Sequence, residues 1–351
     1  MIKRIVRRLG LLITACLILC LGGGVAWGLY YGTNRLPIKR YFSTDYTNAV
    51  WDWSNILEKQ PKALQNQANF MHLHQLNAVY VDIGRYADVL DEKNKPRAAA
   101  DKQALISAIE DYVTVLKERG IKVYAAAGDT DWSDRDKHYI PLGTLAFVQD
   151  YNMQHPNAQL AGIEFDVEAY NQSDFAGGSA TVKTLVLTDY LSMVGELVKA
   201  EQAFTLKTTQ QVELGFAIPY WFDNENGNIP SVTWHEKTGP TLFHLLDQLN
   251  TLPKSNVIVM SYRNAARGND GVVAHSRTEI DYAHAKAPKV RVLIGQEVTN
   301  VEPAKITYYG SSQTDLSAQF GYVRDEFKTS GVLGGIAIND LAGYQAMSDG
   351  N

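Results

Sequence analysis

Eight short strand-like runs, rich in β-branched and small residues, alternate along this chain with stretches of helical pattern. Strands separated by helices pair in parallel, so this alternation predicts an α/β fold. Eight strands in about 315 residues predict a (β/α)8 TIM barrel. A doubly wound open sheet is disfavoured because no glycine-rich phosphate loop follows an early strand. The predicted strands are residues 49–51, 78–83, 123–127, 162–168, 213–218, 256–262, 290–295 and 335–338.

Residues 1–35 are predicted to form an N-terminal signal-anchor, and residues 36–351 to form the single barrel domain. Four basic residues between positions 3 and 8 precede an uncharged run over residues 9–34, which is long enough to span a bilayer as a helix. The basic cluster favours a single-pass protein of the cell membrane, with its C-terminal domain outside the cytoplasm. Cleavage near Ala26 would give a secreted protein instead, and Cys16 lies in a loose lipobox.

Charge and cysteine content narrow the classes of partner and chemistry. The formal net charge is −5 and the isoelectric point is about 5.9, so nucleic acid is not expected as a partner. Both cysteines, Cys16 and Cys20, lie in the N-terminal apolar segment. The predicted domain therefore has no disulfide, cysteine nucleophile or zinc-thiolate site.

The fourth predicted strand carries the clearest chemical signal. Its residues alternate between an apolar face of Ile163, Phe165 and Val167 and an acidic face of Glu164, Asp166 and Glu168. Neighbouring carboxylates in a partly closed site repel each other, which raises some of their pKa values and suits one of them to general-acid work. The row could also be a site for calcium or magnesium, or a structural row paired with arginines such as Arg85 or Arg263. Its position at the C-terminal end of a barrel strand favours catalysis.

This segment resembles the strand-four motif of glycoside hydrolase family 18 chitinases and N-acetylglucosaminidases, Asp-Gly-x-Asp-x-Asp-x-Glu. Gly162, Asp166 and Glu168 match the motif, whereas Ala161 and Glu164 stand at its first two Asp positions. Further along the chain, Met260-Ser261-Tyr262 resembles the family's strand-six Met-x-Tyr. Two positions depart from the family pattern: Arg263 follows that Tyr where an Asp is usual, and Asn339-Asp340 ends the last strand where a Trp is common.

The resemblance implies an enzyme that uses the 2-acetamido group of its own substrate as the nucleophile. Glu168 would protonate the glycosidic oxygen, and Asp166 would orient the acetamido group or stabilise the charged intermediate. Tyr262 would contact the same acetamido group. This mechanism requires no cofactor and no metal.

Polar and aromatic residues cluster after the predicted strands and suit a sugar-binding cleft. Flat rings stack on the C–H faces of sugars, while hydroxyls bond to acids and amides. The predicted sugar platforms are Trp51, Trp53, Trp132 and Trp221. The other predicted substrate-binding residues are Glu164, Asp82, Asp129, Tyr220, Glu297 and Asn339.

We therefore expect a membrane-anchored, extracytoplasmic glycoside hydrolase that acts on a cell-wall or extracellular polysaccharide or oligosaccharide. Glu297, at the end of the seventh strand, offers an alternative in which Glu168 and Glu297 form a retaining two-carboxylate pair. A non-catalytic glycan-binding barrel is a second alternative, and a metal-dependent hydrolase is a third.

Overall fold

The structure, a computed structural model, describes residues 42–90, 95–224, 227 and 229–350. Its centre is a closed barrel of eight parallel strands, in the order β1-β10-β9-β8-β5-β4-β3-β2. The barrel strands are β1 (Thr47–Asp52), β2 (Ala78–Asp82), β3 (Lys122–Ala127), β4 (Gly162–Phe165), β5 (Glu213–Pro219), β8 (Ser255–Met260), β9 (Val290–Glu297) and β10 (Leu333–Asn339). An antiparallel hairpin of β6 (Val232–Trp234) and β7 (Lys237–Gly239) lies in the connection between β5 and the helix that begins at Thr241.

Helices follow the strands as the alternating pattern predicted. They are α1 (Pro61–Leu73), α2 (Tyr86–Leu90), α3 (Lys95–Lys117), α4 (Tyr139–Gln154), α5 (Ser173–Ala176), α6 (Ala180–Thr208), α7 (Thr241–Leu249), α8 (Arg277–Lys286), α9 (Gln313–Phe327) and α10 (Leu341–Ala346). The prediction of a (β/α)8 barrel is confirmed, since each of the eight predicted strands overlaps an observed barrel strand.

Local sequence signals account for where several helices begin. A capping box starts α9, because the Ser312 hydroxyl accepts from the Asp315 N–H while the Asp315 carboxylate accepts from the Ser312 N–H. Pro61 occupies the first turn of α1, where its missing N–H has no cost. In α7, Leu242, Leu245, Leu246 and Leu249 are all buried, which is the spacing of one helical face packed on the sheet.

The strand residues divide into two apolar clusters, one on each side of the barrel wall. The larger cluster fills the space between the sheet and the helices and includes Ile163, Phe165 and Val167 of the acidic strand. The smaller cluster fills the barrel interior and includes Trp51, Tyr80, Tyr124, Ile258 and Leu293. The alternation along the strands is therefore the period-two alternation between the outside and the inside of the barrel.

The predicted anchor, residues 1–35, lies outside the described residues. In the part of the chain that the structure describes, no helix is both long enough and apolar enough to span a membrane. The barrel lies in the compact unit Tyr41–Asn351.

Candidate active site

Glu168 lies just beyond β4, at the C-terminal mouth of the barrel. The strand ends at Phe165, earlier than predicted, and Glu168 becomes the N-cap of a short 3₁₀ turn over Ala169–Asn171. Its carboxylate is half-buried and is held from both sides. The Tyr170 hydroxyl donates to Oε1, and the Asn171 side-chain amide donates to Oε2 at 2.7 Å. The turn therefore fixes the orientation of this carboxylate through its own two residues.

Asp166 precedes Glu168 by two residues and lies deeper in the mouth of the barrel. Its Oδ1 is buried and has no hydrogen-bond partner among the described residues. Burial, followed by repulsion from the charge of Glu168, raises the pKa of Asp166 to about 7. Near neutral pH the Asp166 carboxyl group therefore exists in both its protonated and its ionised form, which suits it to acid/base chemistry beside Glu168.

Glu164 is fully enclosed inside the barrel, so it lies below the cleft and does not line it. This placement corrects the prediction that all three acids of the row face a cleft. Both carboxyl oxygens lack partners among the described residues. Burial, then the charges of Asp166 and Glu213, raises the pKa of Glu164 well above its usual range. A buried carboxyl group in this setting is protonated and neutral.

Two glycines make room for the acidic row. A Cβ at Gly215 on the neighbouring strand would lie 1.8 Å from Oε2 of Glu164, so only glycine leaves space for that side chain. A Cβ at Gly128, after β3, would lie 2.0 Å from the carbonyl oxygen of Asp166. A side chain at Gly215 would therefore collide with the Glu164 carboxyl group, and one at Gly128 would collide with the backbone of Asp166.

Tyr262 follows β8 and lies within range of the charges of Asp166, Glu168 and Glu297. Burial, then the charges of Asp166, Glu297 and Glu168, raises the pKa of Tyr262 well above its usual range. Its hydroxyl therefore stays protonated and can donate a hydrogen bond. The predicted strand-four and strand-seven acids are thus brought to one end of the barrel with this tyrosine among them.

Glu297 is buried and fully hydrogen-bonded. Its Oε1 accepts from the Thr299 N–H and hydroxyl, both at 2.6 Å, and its Oε2 accepts from the Asn339 amide at 2.7 Å. The Asn339 carbonyl oxygen in turn accepts from the Trp53 indole N–H at 2.7 Å. Three donors therefore hold the Glu297 carboxylate in one orientation at the mouth of the barrel.

The tryptophans predicted as platforms differ in exposure. Trp53 is 38% exposed, whereas Trp51, stacked beneath it with ring centroids 6.3 Å apart, is only 2% exposed. Trp132 is 4% exposed and belongs to the outer apolar cluster. Trp221 is half-buried and packs edge-on against Tyr170 at 4.9 Å. Trp51 and Trp132 therefore pack the barrel and its loops, and of the four predicted platforms Trp53 offers the most open ring.

Three other predicted residues have well-defined surroundings. Asp82 accepts from the Gly84 N–H at 2.7 Å, and burial raises the pKa of its carboxyl. Asp129 is exposed, and its carboxylate accepts from the Thr130 hydroxyl at 3.2 Å. The ring centroids of Tyr220 and His275 are 4.1 Å apart, and a guanidinium group lies over the Tyr220 ring.

That guanidinium belongs to Arg263, the residue that departs from the family pattern after Tyr262. It donates to the Asp270 carboxylate at 2.8 Å and to the Tyr262 carbonyl at 2.7 Å. The same Asp270 also contacts His275 at 2.8 Å and Lys305 at 2.6 Å. These hydrogen bonds, with that from Lys305 contributing most, hold the pKa of Asp270 well below its usual range. Arg263 is thus part of an ion cluster beside the candidate site and does not pair with the acidic row.

The sequence prediction missed the residues that hold the acids in place. Asn171 follows Glu168 by three positions, and Thr299 follows Glu297 by two. A short side chain with a hydrogen-bond donor at this spacing is the local sequence signal that could have indicated these contacts. Gly215 gave no signal beyond being a glycine within a strand, which is typical of a site where another group approaches closely.

Comparisons with solved structures show the same fold in glycoside hydrolases. A GH18 chitinase from Cycas revoluta in complex with (GlcNAc)3 has a TM-score of 0.51 at 10% identity, over 84% of this chain and 95% of that chain. A beta-glucosidase from Thermotoga maritima in complex with castanospermine has a TM-score of 0.52 at 9% identity, over 86% and 89% of the two chains. This likeness confirms the resemblance to the family 18 barrel at the level of the fold. No protein-family model matches the chain, and no curated protein sequence matches it.

Proposed function

We propose that this protein is a glycoside hydrolase in which Glu168 is the general acid/base. The observation that carries the proposal is the Asp166–Glu168 pair at the barrel mouth. One carboxylate is oriented by Tyr170 and Asn171, and beside it burial raises the pKa of Asp166 to about 7. Chemistry in (β/α)8 barrels takes place at this end of the strands.

In the proposed mechanism Glu168 donates its proton to the glycosidic oxygen as the bond breaks. The substrate's own 2-acetamido oxygen attacks the anomeric carbon, and Asp166 and the Tyr262 hydroxyl hold the acetamido group. Glu168 then accepts a proton from the water that opens the intermediate. The fully enclosed Glu164 stays neutral and takes no direct part in the reaction.

The substrate that this mechanism requires is a polysaccharide or oligosaccharide containing an N-acetylated sugar. Its source is proposed to be the cell wall or an extracellular polymer. The Cycas revoluta chitinase that shares the fold was crystallised with (GlcNAc)3. Trp53, half-exposed at the mouth, is the proposed ring for stacking a sugar.

The test is the hydrolysis of (GlcNAc)4 and of cell-wall glycans by the full chain and by Glu168→Gln. Loss of a positioned general acid lowers kcat by about 10²–10⁴-fold. Glu236→Gln, an exposed Glu in the hairpin turn, is the matched control and should keep wild-type activity. A Glu168→Gln variant that hydrolyses a cleaved glycan at the wild-type rate contradicts the assignment. Glycan binding without turnover by the wild-type chain favours the non-catalytic barrel.

A two-carboxylate mechanism with Glu297 as nucleophile is the second candidate. The observation in its favour is that three donors orient the Glu297 carboxylate, and that the charges of Glu297 and Glu168 both act on Tyr262. The two mechanisms separate on substrates without the acetamido group. Cleavage of such a glucoside by the wild type, abolished in Glu297→Gln, would favour the second mechanism.

Membrane anchoring through residues 1–35 is a separate part of the proposal, supported by the basic cluster and the uncharged run. Carbonate extraction of membranes from cells that express the full chain should leave the protein in the membrane pellet. The intact mass should show the N-terminal segment still present. Release of a shortened chain into the medium would instead support signal-peptide cleavage.

A further inference from the structure

A cavity of about 780 Å³ lies at the opposite end of the barrel from the candidate active site. Its lining includes the first residues of several barrel strands: Thr47, Ala78, Lys122, Ser255 and Leu333. The cavity is therefore the N-terminal mouth of the barrel. Its volume is within the range of ligand pockets, roughly 300–1,000 Å³. The mechanism proposed above makes no use of this end.

The rim of this mouth is positively charged, although the whole chain is acidic. Four basic residues and two acidic residues line the cavity. The basic ones are Lys122, Lys254, Lys289 and Arg291, and the acidic ones are Asp45 and Glu213. All four basic residues are exposed. Because the chain has a net charge of −5, this local excess of positive charge marks the mouth as a place that attracts anions.

Below the rim the lining changes to hydrogen-bonding and aromatic groups. The Glu213 carboxylate accepts from the Asn256 side-chain amide at 2.9 Å and from the Tyr124 hydroxyl at 3.3 Å. Asn256 is 2% exposed and Tyr124 is 6% exposed, so both lie in the barrel interior. The Tyr80 and Tyr124 rings lie 5.3 Å apart and form an aromatic wall. A carboxylate with two protein donors keeps further acceptor capacity for hydroxyl groups.

These two layers require different features of one ligand. The rim requires negative charge, and the interior requires hydroxyl donors with an apolar face. We propose that the N-terminal mouth of the barrel binds a polyhydroxylated anion, of the chemical class of a sugar phosphate or a sugar acid. The ligand's anionic group lies among Lys254, Lys289 and Arg291, and its hydroxyl groups donate to Glu213. This site is independent of the proposed hydrolase reaction.

The test is calorimetric titration of the full chain with glucose 6-phosphate at low ionic strength, where screening is weak. Glucose carries only the hydroxyl groups and inorganic phosphate carries only the charge. We expect glucose 6-phosphate to bind at least about tenfold more tightly than either, a difference that calorimetry resolves easily. The double variant Lys254→Gln/Lys289→Gln should weaken glucose 6-phosphate binding by about tenfold or more.

The matched control is Lys199→Gln/Lys207→Gln, which removes two exposed lysines of α6 away from the cavity and should bind as the wild type does. Glu168→Gln should also bind normally, because the two sites lie at opposite ends of the barrel. Equal binding of phosphate and glucose 6-phosphate overturns the proposal, since the interior would then contribute nothing. Absence of binding, or equal loss in both double variants, overturns it as well. Loss in the Lys254/Lys289 variant alone supports it.

Discussion

The free energy of unfolding of Asp166→Asn, measured relative to that of the wild type, should increase as the pH rises. Asn has nearly the same shape as a protonated Asp but carries no ionisable proton. The comparison therefore isolates the free energy that the wild type loses when a buried carboxyl group ionises. The prediction follows from the burial of Asp166 and its proximity to Glu168.

The size of this stability difference follows from the pKa of Asp166 in the folded and unfolded states. The pKa of Asp166 is 3.8 in the unfolded chain and about 7 in the folded protein. A raised pKa means that the folded state keeps its proton over this interval while the unfolded state loses it, so wild-type stability falls as the pH rises from about 4 to 7. At 1.36 kcal/mol per pKa unit, the loss relative to Asn grows from about 1 kcal/mol at pH 4.5 to about 4 kcal/mol at pH 8.

The assay is urea unfolding followed by tryptophan fluorescence at several pH values between 4.5 and 8. The stability of Asp166→Asn minus that of the wild type should increase by about 3 kcal/mol across this range. Asp315→Asn is a control of opposite sign, because hydrogen bonds from Ser312 lower the pKa of Asp315. That variant should be less stable than the wild type by a nearly constant amount over this range, because the pKa of Asp315 lies below pH 4.5 in both the folded and the unfolded chain. A difference for Asp166→Asn that does not change with pH would refute the reasoning.

Two further predictions separate packing roles from binding roles. Gly128→Ala places a Cβ 2.0 Å from the carbonyl oxygen of Asp166. It should lower the free energy of unfolding in urea by about 2–3 kcal/mol and clearly lower kcat. The control Gly321→Ala in α9 meets only a side-chain atom at 3.9 Å, so it should be neutral or stabilising. Trp132→Ala should lower the free energy of unfolding by about 3–5 kcal/mol because the ring is buried. Trp53→Ala should change stability little and weaken glycan affinity, and the opposite pattern for these two tryptophans would contradict the proposed platform.

The fold was predictable because its main signals are periodic and local. The alternation along the fourth strand correctly separated Ile163, Phe165 and Val167, which pack against the helices, from Glu164 inside the barrel. Hydrophobic periodicity does not report where backbone pairing stops. The strand was therefore predicted to reach Glu168, whereas the chain leaves the sheet after Phe165 and turns.

The exposure of the aromatic residues could not be predicted from their positions after strands. Trp51 and Trp53 are two residues apart, yet one ring fills the barrel interior and the other covers it at the mouth. Trp132 is buried because its loop packs among elements far away in the sequence. A strand end specifies that a residue is near the rim, but long-range packing decides whether its ring meets solvent.

One amide couples two groups that the proposed reaction would use separately. The Asn339 side chain holds the Trp53 indole with its oxygen and the Glu297 carboxylate with its nitrogen. If the indole shifts when a sugar ring stacks on it, the Asn339 amide must rotate or its hydrogen bond to the indole must lengthen. A rotated amide no longer donates to Glu297. Kinetic defects in Trp53 variants would then reflect both the lost stacking surface and a reoriented Glu297 carboxylate on β9. Double-mutant cycles between the two positions would measure that cross-talk directly.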